Sequence, residues 1–169
     1  MYVTGRYPLL VGAGAVPVIV GSVGGIPAWA GAAAWLGLCV LLLGIDVLAA
    51  PNPRQVSITR AGPTKVLRDQ ATQVTATVTN TGTRALRIRV RDAWQPTAGA
   101  ATGTAVIRID PGASGRVVTS LLPRRRGELR SVGLALRSAG PLGIAGRSAL
   151  IAVAGSIRVL PPFTSRRHL

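Results

Sequence analysis

Residues 8–50 read PLLVGAGAVPVIVGSVGGIPAWAGAAAWLGLCVLLLGIDVLAA, and everything after them differs in kind. The stretch holds one ionisable side chain, Asp46, and breaks once, at Gly24-Gly25-Ile26-Pro27. About 20 apolar residues are needed for a helix to cross about 30 Å of hydrocarbon. The stretch therefore reads as two spanning helices, about 7–25 and 28–50, joined by a very short turn. Pro8 suits a first helical turn, where a missing N–H costs nothing. Pro17 lies inside the first helix and should kink it, which a membrane helix tolerates.

The second span is the stronger. Trp29 and Trp35 stand near its start, the expected place for aromatic rings at a membrane interface. Asp46 comes near its end. An acid inside a membrane span is a functional candidate by default. So close to the boundary, the favoured reading is an interfacial acid near Arg54. Arg6, the apolar core and Ala28-Trp29-Ala30 also have the layout of a cleavable export signal. A second apolar segment directly behind them argues against that reading, and an exported surface protein is kept only as an alternative.

Charge sets the expected orientation. The turn at 24–27 has no Lys or Arg, the N-terminal side has Arg6, and Arg54, Arg60, Lys65 and Arg68 follow the second span. The bias of Lys and Arg toward the cytoplasm then puts both ends inside and the turn outside. Each such cation adds about 1 kcal/mol beside an anionic leaflet, so these four could hold the domain against it. The expected location is the inner (plasma) membrane, multi-pass, with both termini cytoplasmic.

The formal charge is +15. Nineteen of the 20 basic residues and four of the five acids follow residue 50, so that part carries the whole excess. All the bases but Lys65 are arginine. Such a charge suits an anionic lipid surface, nucleic acid or an acidic protein; a GC-rich genome spelling its basic positions as Arg is the plain alternative. Cys39 is the one cysteine and His168 the one histidine. A disulfide within the chain is excluded, and so is a metal site of the His/Cys type.

After Pro51-Asn52-Pro53 the pattern changes to period two. Val74, Ala76 and Val78 alternate with threonines. Asn80-Thr81-Gly82-Thr83 reads as the turn of a hairpin, with 84–92 as the return strand. Leu86, Ile88 and Val90 then face one way and Arg87, Arg89 and Arg91 the other. Ala105, Ile107 and Ile109 form the inner side of a further strand with Arg108 outside, before a turn at Asp110-Pro111-Gly112. A strand at 116–122 leads to the basic connection Arg124-Arg125-Arg126. Val132, Leu134 and Leu136 share the next inner face, with Gly133 as a bulge. Gly140-Pro141-Leu142-Gly143 is a loop, and two short strands close the pattern. Seven or eight short strands at regular spacing predict an all-β antiparallel Ig-like sandwich over 51–163, with 164–169 as a basic tail.

No catalytic constellation stands out. The acids of this part, Asp69, Asp92, Asp110 and Glu128, are scattered, and no base is placed beside a nucleophile. Gly12-Ala13-Gly14 has the look of a dinucleotide loop but follows no strand. The expectation is no enzyme, no cofactor and no metal. Arg87, Arg89, Arg91, Arg108 and Arg124 to Arg126 are the candidate contacts for an acidic partner or lipid headgroups. Nucleic acid is the weaker reading, because aromatic residues for base stacking are not interleaved with them.

An ordered set of short motifs spans nearly the whole chain. It comprises Thr4-Gly5-Arg6, the apolar hairpin, Pro53-Arg54, Val78-Thr79-Asn80-Thr81-Gly82, Arg91-Asp92-Ala93-Trp94, Leu122-Pro123-Arg124-Arg125-Arg126-Gly127, residues 137–144, and Arg158-Val159-Leu160-Pro161-Pro162-Phe163. Together they resemble the N-terminal region of actinobacterial DUF58 proteins. The resemblance implies a two-helix membrane anchor, a β-sandwich and then a von Willebrand factor A-like domain, which this sequence stops before. It also implies MoxR-type AAA+ ATPases and transglutaminase-like membrane proteins as partners. The expectation is a fragment or truncated product acting as a membrane-anchored, cytosol-facing scaffold or accessory part of such a complex. The alternative is a basic binding module for anionic lipid or nucleic acid.

Overall fold

The structure, a computed structural model, describes residues 1–101 and 103–161 of the chain. Pro162, Phe163 and the basic tail 164–169 lie outside the described residues. The chain divides into two compact units. One contains 1–52 and 137–148, the other 53–136 and the residues from 149 on.

The first unit opens on a two-residue strand, β1 (Tyr2–Val3), followed by helices α1 (Arg6–Ala13), α2 (Ala15–Val23) and α3 (Ala28–Ala49). Arg6–Val23 and Ala28–Ala49 are each long and apolar enough to cross a membrane, with 18 and 22 residues and mean hydropathies of 1.4 and 2.2. The first segment is divided at Gly14. Pro17 explains the position: its ring opposes the carbonyl four residues back, at Ala13, and it offers no N–H to that turn. Gly14 and Trp35 fit together there, for a Cβ on Gly14 would overlap the indole. A second close approach brings Gly31 against Val18, as small residues permit between apolar helices.

The turn between the helices has a defined form. Ile26 N–H reaches the Gly21 carbonyl (3.0 Å) and Gly25 N–H the Ser22 carbonyl (3.2 Å). Gly25 has φ +87°, the left-handed value this helix end requires. Pro27 then starts a new direction.

The second unit contains β2 (Val56–Ala61), β3 (Lys65–Leu67), β4 (Thr72–Asn80), β5 (Leu86–Trp94), β6 (Ala105–Ile109) and β7 (Ser114–Leu121), most of β8 (Gly127–Ala139), the end of β9 (Ala145–Ile151) and β10 (Ser156–Leu160). One sheet runs β2-β4-β7; in the other, β8 joins β5 and β6 to β10 and β3. Ala76, Val78 and Val117 of the first sheet meet Leu86, Ile88, Val90, Ile109, Leu134 and Leu136 of the second in one buried cluster. A second cluster gathers Val66, Val74, Trp94, Leu121, Leu129, Ile157 and Val159.

Three expectations are corrected. The sheets are mixed, because β10 runs parallel to β3, Arg158 to Leu160 pairing with Lys65 to Leu67. A parallel pair needs a long connection between its strands, and most of the domain separates these two. Second, β4 and β5 do not form a hairpin: they lie in different sheets. The turn between them is a corner. Buried Asn80 (1% exposed) holds it, donating through Nδ2 to the carbonyls of Arg84 (2.9 Å) and Ile109 (3.1 Å) and accepting from Gly82 N–H. Third, Val132 faces out while Gly133 and Leu134 are both buried. The Gly133 bulge, at φ +137° and against the Ile151 carbonyl, shifts the alternation by one.

Candidate functional site: two buried carboxylates and a basic sheet face

In the first unit Asp46 sits on the last turn of α3 with 0% exposure. Its Oδ1 accepts the Leu142 N–H at 2.7 Å, and its Oδ2 accepts those of Ile144 (2.9 Å) and Ala145 (2.8 Å). The donors come from the β8–β9 turn. Gly140-Pro141-Leu142-Gly143 forms it, closed by Gly143 N–H on the Gly140 carbonyl (3.1 Å). Proline at the second position and glycine at the fourth are what such a turn favours. A Cβ on Gly140 would collide with Asp46, so only glycine lets the turn approach the helix this closely.

Further bonds join the same parts. Arg147 Nε donates to the Val47 carbonyl (3.1 Å) and Ser138 Oγ to the Pro51 carbonyl (2.6 Å), meeting carbonyls at and just past the helix end. The Tyr2–Val3 strand pairs with Ala145 and Gly146, Thr4 Oγ1 donates to the Gly143 carbonyl (2.8 Å), and the Arg137 guanidinium lies 5.5 Å from the Tyr2 ring centre. The expected interfacial acid beside Arg54 is thus a buried acceptor served by backbone amides. Charge-assisted bonds of this kind are among the stronger ones.

In the second unit Asp92 is the buried acid. Arg60 Nη2 donates to its Oδ1 at 2.8 Å, with side-chain exposures of 6% and 2%. Trp94 Nε1 donates to Oδ2 at 2.8 Å, and the Trp94 ring covers the guanidinium with 4.9 Å from centre to Cζ. Ser131 Oγ reaches the same carboxylate at 3.4 Å. Arg60 Nε and Nη1 are buried without an acceptor among the described residues. Arg60 was expected among the cations facing headgroups; its charge is instead taken up between the two sheets.

Both members of the pair occupy inward positions. Arg60 continues Val56 and Ile58, and Asp92 continues Leu86, Ile88 and Val90. That parity is the sequence signal for them. It says that the side chains point inward, although not that they meet.

The expected basic contacts are exposed, and those on β5 and β6 share a surface. Arg87, Arg89 and Arg91 project outward from β5, and Arg108 on β6 stands directly opposite Arg87. The outward positions of the neighbouring strands add Glu128 and Arg130 on β8, Arg158 on β10 and Lys65 on β3, with Arg158 opposite both Lys65 and Glu128. Arg130 Nη2 bonds Glu128 at 3.0 Å. That bond, and the cation's charge, hold the Glu128 carboxyl below its ordinary range and Arg130 above its own. Arg124, Arg125 and Arg126 are exposed on a connection whose Pro123 is buried. Arg126 joins Lys65, Arg158, Ser156 and Glu128 in lining an open groove of about 900 Å³.

The outward face of β2-β4-β7 is different in composition. It presents Ser57, Thr59, Thr75, Thr77, Thr79, Ser114 and Ser120, with Arg116 as its one arginine. Of the expected membrane-interface residues, Trp29 is 76% exposed in the first turn of α3, Trp35 is packed on Gly14, and Arg54 is exposed. Among the described residues no group of three or more His, Cys, Asp or Glu could hold a metal ion.

No family model and no curated protein matches the chain. Among solved structures it is similar to the CARDB domain of a Pyrococcus furiosus protein, at 11% identity and a TM-score of 0.45, over 68% of this chain and 92% of that one. A FixG-related protein from Vibrio parahaemolyticus matches at 10% identity and a TM-score of 0.41, over 62% of this chain and 96% of that one. A beta-glucosidase from Listeria innocua matches at 13% identity and a TM-score of 0.40, over 64% of this chain but only 16% of the enzyme.

Proposed function

We propose that the chain is a membrane-anchored, cytosol-facing Ig-like β-sandwich, a non-catalytic scaffold or accessory part of a DUF58-like complex. One observation carries the reading. Only 6% and 11% of the most apolar stretches of the two N-terminal helices are buried. Leu9, Val16, Ile19, Val20, Leu36, Val40, Leu41 and Leu48 are all exposed. Apolar surface on that scale needs cover, and helices with all backbone bonds made internally are suited to lipid.

The bonds around residues 1–4 favour a retained first helix over a cleaved signal, since Tyr2, Val3 and Thr4 are tied to residues 143–146. Arg54, Lys65 and Arg68 are exposed beyond α3 and favour a cytoplasmic domain. Arg60 still counts toward that bias, because insertion precedes folding. A MoxR-type AAA+ ATPase and a transglutaminase-like membrane protein are the proposed partners, by the motif resemblance alone.

Topology reporters fused at residues 24–27 and after residue 161 test the proposal. Activity in the periplasmic sense at the turn and in the cytoplasmic sense at the C-terminal site is expected. An external C-terminal site overturns it.

A further inference from the structure

We propose that the outward face of β6-β5-β8-β10-β3 docks on the anionic phosphate headgroups of the membrane that holds the chain's own helices. The inference rests on the anchoring reading above.

Segregation is the first argument. A genome that spells basic positions as Arg would place arginines on both outer faces of the sandwich. Instead Arg87, Arg89, Arg91, Arg108, Arg130 and Arg158 share one face with the single acid Glu128, and the other carries Ser, Thr, Gln73 and Val118 with Arg116 as its one arginine.

Register is the second. Arg87 stands directly opposite Arg108, and Lys65 directly opposite Arg158; Glu128 on the other side of Arg158, and Asp110 at 3.8 Å from Arg108, relieve these contacts only in part. Like charges at paired positions destabilise a sheet. An anionic surface laid across them reverses the sign of that interaction.

Chemistry decides the occupant. Guanidinium groups bind phosphate oxygens in pairs, and alternate residues of a strand repeat them about every 6.7 Å along a flat surface. The outward positions of these strands carry no aromatic ring to stack a base, against single-stranded nucleic acid. They do carry Val106 and Val132, 56% and 59% exposed among the cations, a mixture that suits a headgroup boundary. Pro53 opens this domain three residues after Ala50, so the tether keeps the face at high local concentration near the bilayer.

The test uses the full chain carrying Cys39→Ser and Val106→Cys, labelled at position 106 with a polarity-sensitive fluorophore. It is reconstituted in nanodiscs of phosphatidylcholine, with or without phosphatidylglycerol. The label should shift to the blue, and be quenched by headgroup-linked nitroxide, only where phosphatidylglycerol is present and only at low salt. Each arginine should add about 5-fold to the occupancy of the docked state. The added substitutions Arg87→Gln, Arg89→Gln, Arg91→Gln and Arg108→Gln together should therefore lower it by two orders of magnitude or more, and Arg116→Gln should leave it unchanged. Equal emission in both discs, an unaffected quadruple variant, or a shift produced only by added RNA or an acidic protein overturns the proposal. Alkaline carbonate extraction of the same chain separates the two readings. A retained chain with no lipid response breaks the docking proposal alone. A released chain breaks the anchoring reading, and its co-sedimentation with phosphatidylglycerol vesicles then decides the face by itself.

Discussion

Asp46 and Asp92 are both withdrawn from water, one in each unit, and they are held in opposite ways. Asp46 takes three backbone amides and needs no particular side chain opposite it. Asp92 takes Arg60 and the Trp94 indole, so its burial depends on two identities elsewhere in the sequence. A backbone cradle asks for no particular side chain except glycine at 140, where the turn comes closest, but it fixes the path of the turn. A side-chain partnership leaves the path free and makes each partner hostage to the other.

The largest effect should follow from breaking the partnership. Arg60→Ala leaves Asp92 buried without its ion and should cost about 3–5 kcal/mol, measured by thermal and denaturant unfolding of the full chain in detergent. The double substitution Arg60→Met with Asp92→Leu should recover only part of that loss, because it removes the unpaired charge but leaves the buried Trp94 Nε1–H without its acceptor, at about 1–3 kcal/mol. A single variant as stable as the parent would remove the distinction between the two acids.

Asp46→Ala should cost somewhat less overall, about 3 kcal/mol, because three donors lose one shared acceptor but can turn toward water locally. Limited proteolysis should show the loss as faster cleavage within residues 139–145. Asp46→Asn keeps an acceptor and should fall between. Cleavage there at the parental rate in both variants would mean that the amides do not depend on the carboxylate.

The smallest effect belongs to exposed Glu128. Its carboxyl is held below the ordinary range by Arg130, so the folded pKa lies under the unfolded one. Its stabilising contribution is present above the unfolded value and is lost as pH falls through the folded value. Glu128→Gln should remove that small contribution at neutral pH, where it is present in full, leave stability below the folded value unchanged, and so slightly flatten the acid limb of a stability-against-pH curve. A parent and variant whose curves differ in acid and coincide at neutral pH would contradict the lowered carboxyl.

How legible this was depended on how far each partner lay along the chain. The apolar helices, their turn, the alternation of β5 and the 140–143 turn are local patterns, and they are present as read. The outward arginines followed from parity alone. The corner at Asn80 was missed because a turn sequence does not say which sheet the next strand joins. The β3–β10 pair was missed because β3 is three residues long and its partner lies more than 90 residues on. Nothing local marks the partners of Asp46, because they are amides, which any sequence supplies. Arg60 and Asp92 did leave a trace, as charges on the apolar side of their strands. Each was counted by residue type, as a headgroup cation and as a scattered acid, when its parity showed it turned inward.

The central claim is that the Asp46 carboxylate ties the end of α3 to the 140–145 turn. Amide hydrogen exchange at Leu142, Ile144 and Ala145, on the full chain in nanodiscs, measures it directly. Slow exchange is expected at all three in the parent and acceleration of about 100-fold in Asp46→Ala, with the amides of β5 unchanged. Fast exchange at these amides in the parent, or equal rates in parent and variant, would contradict it.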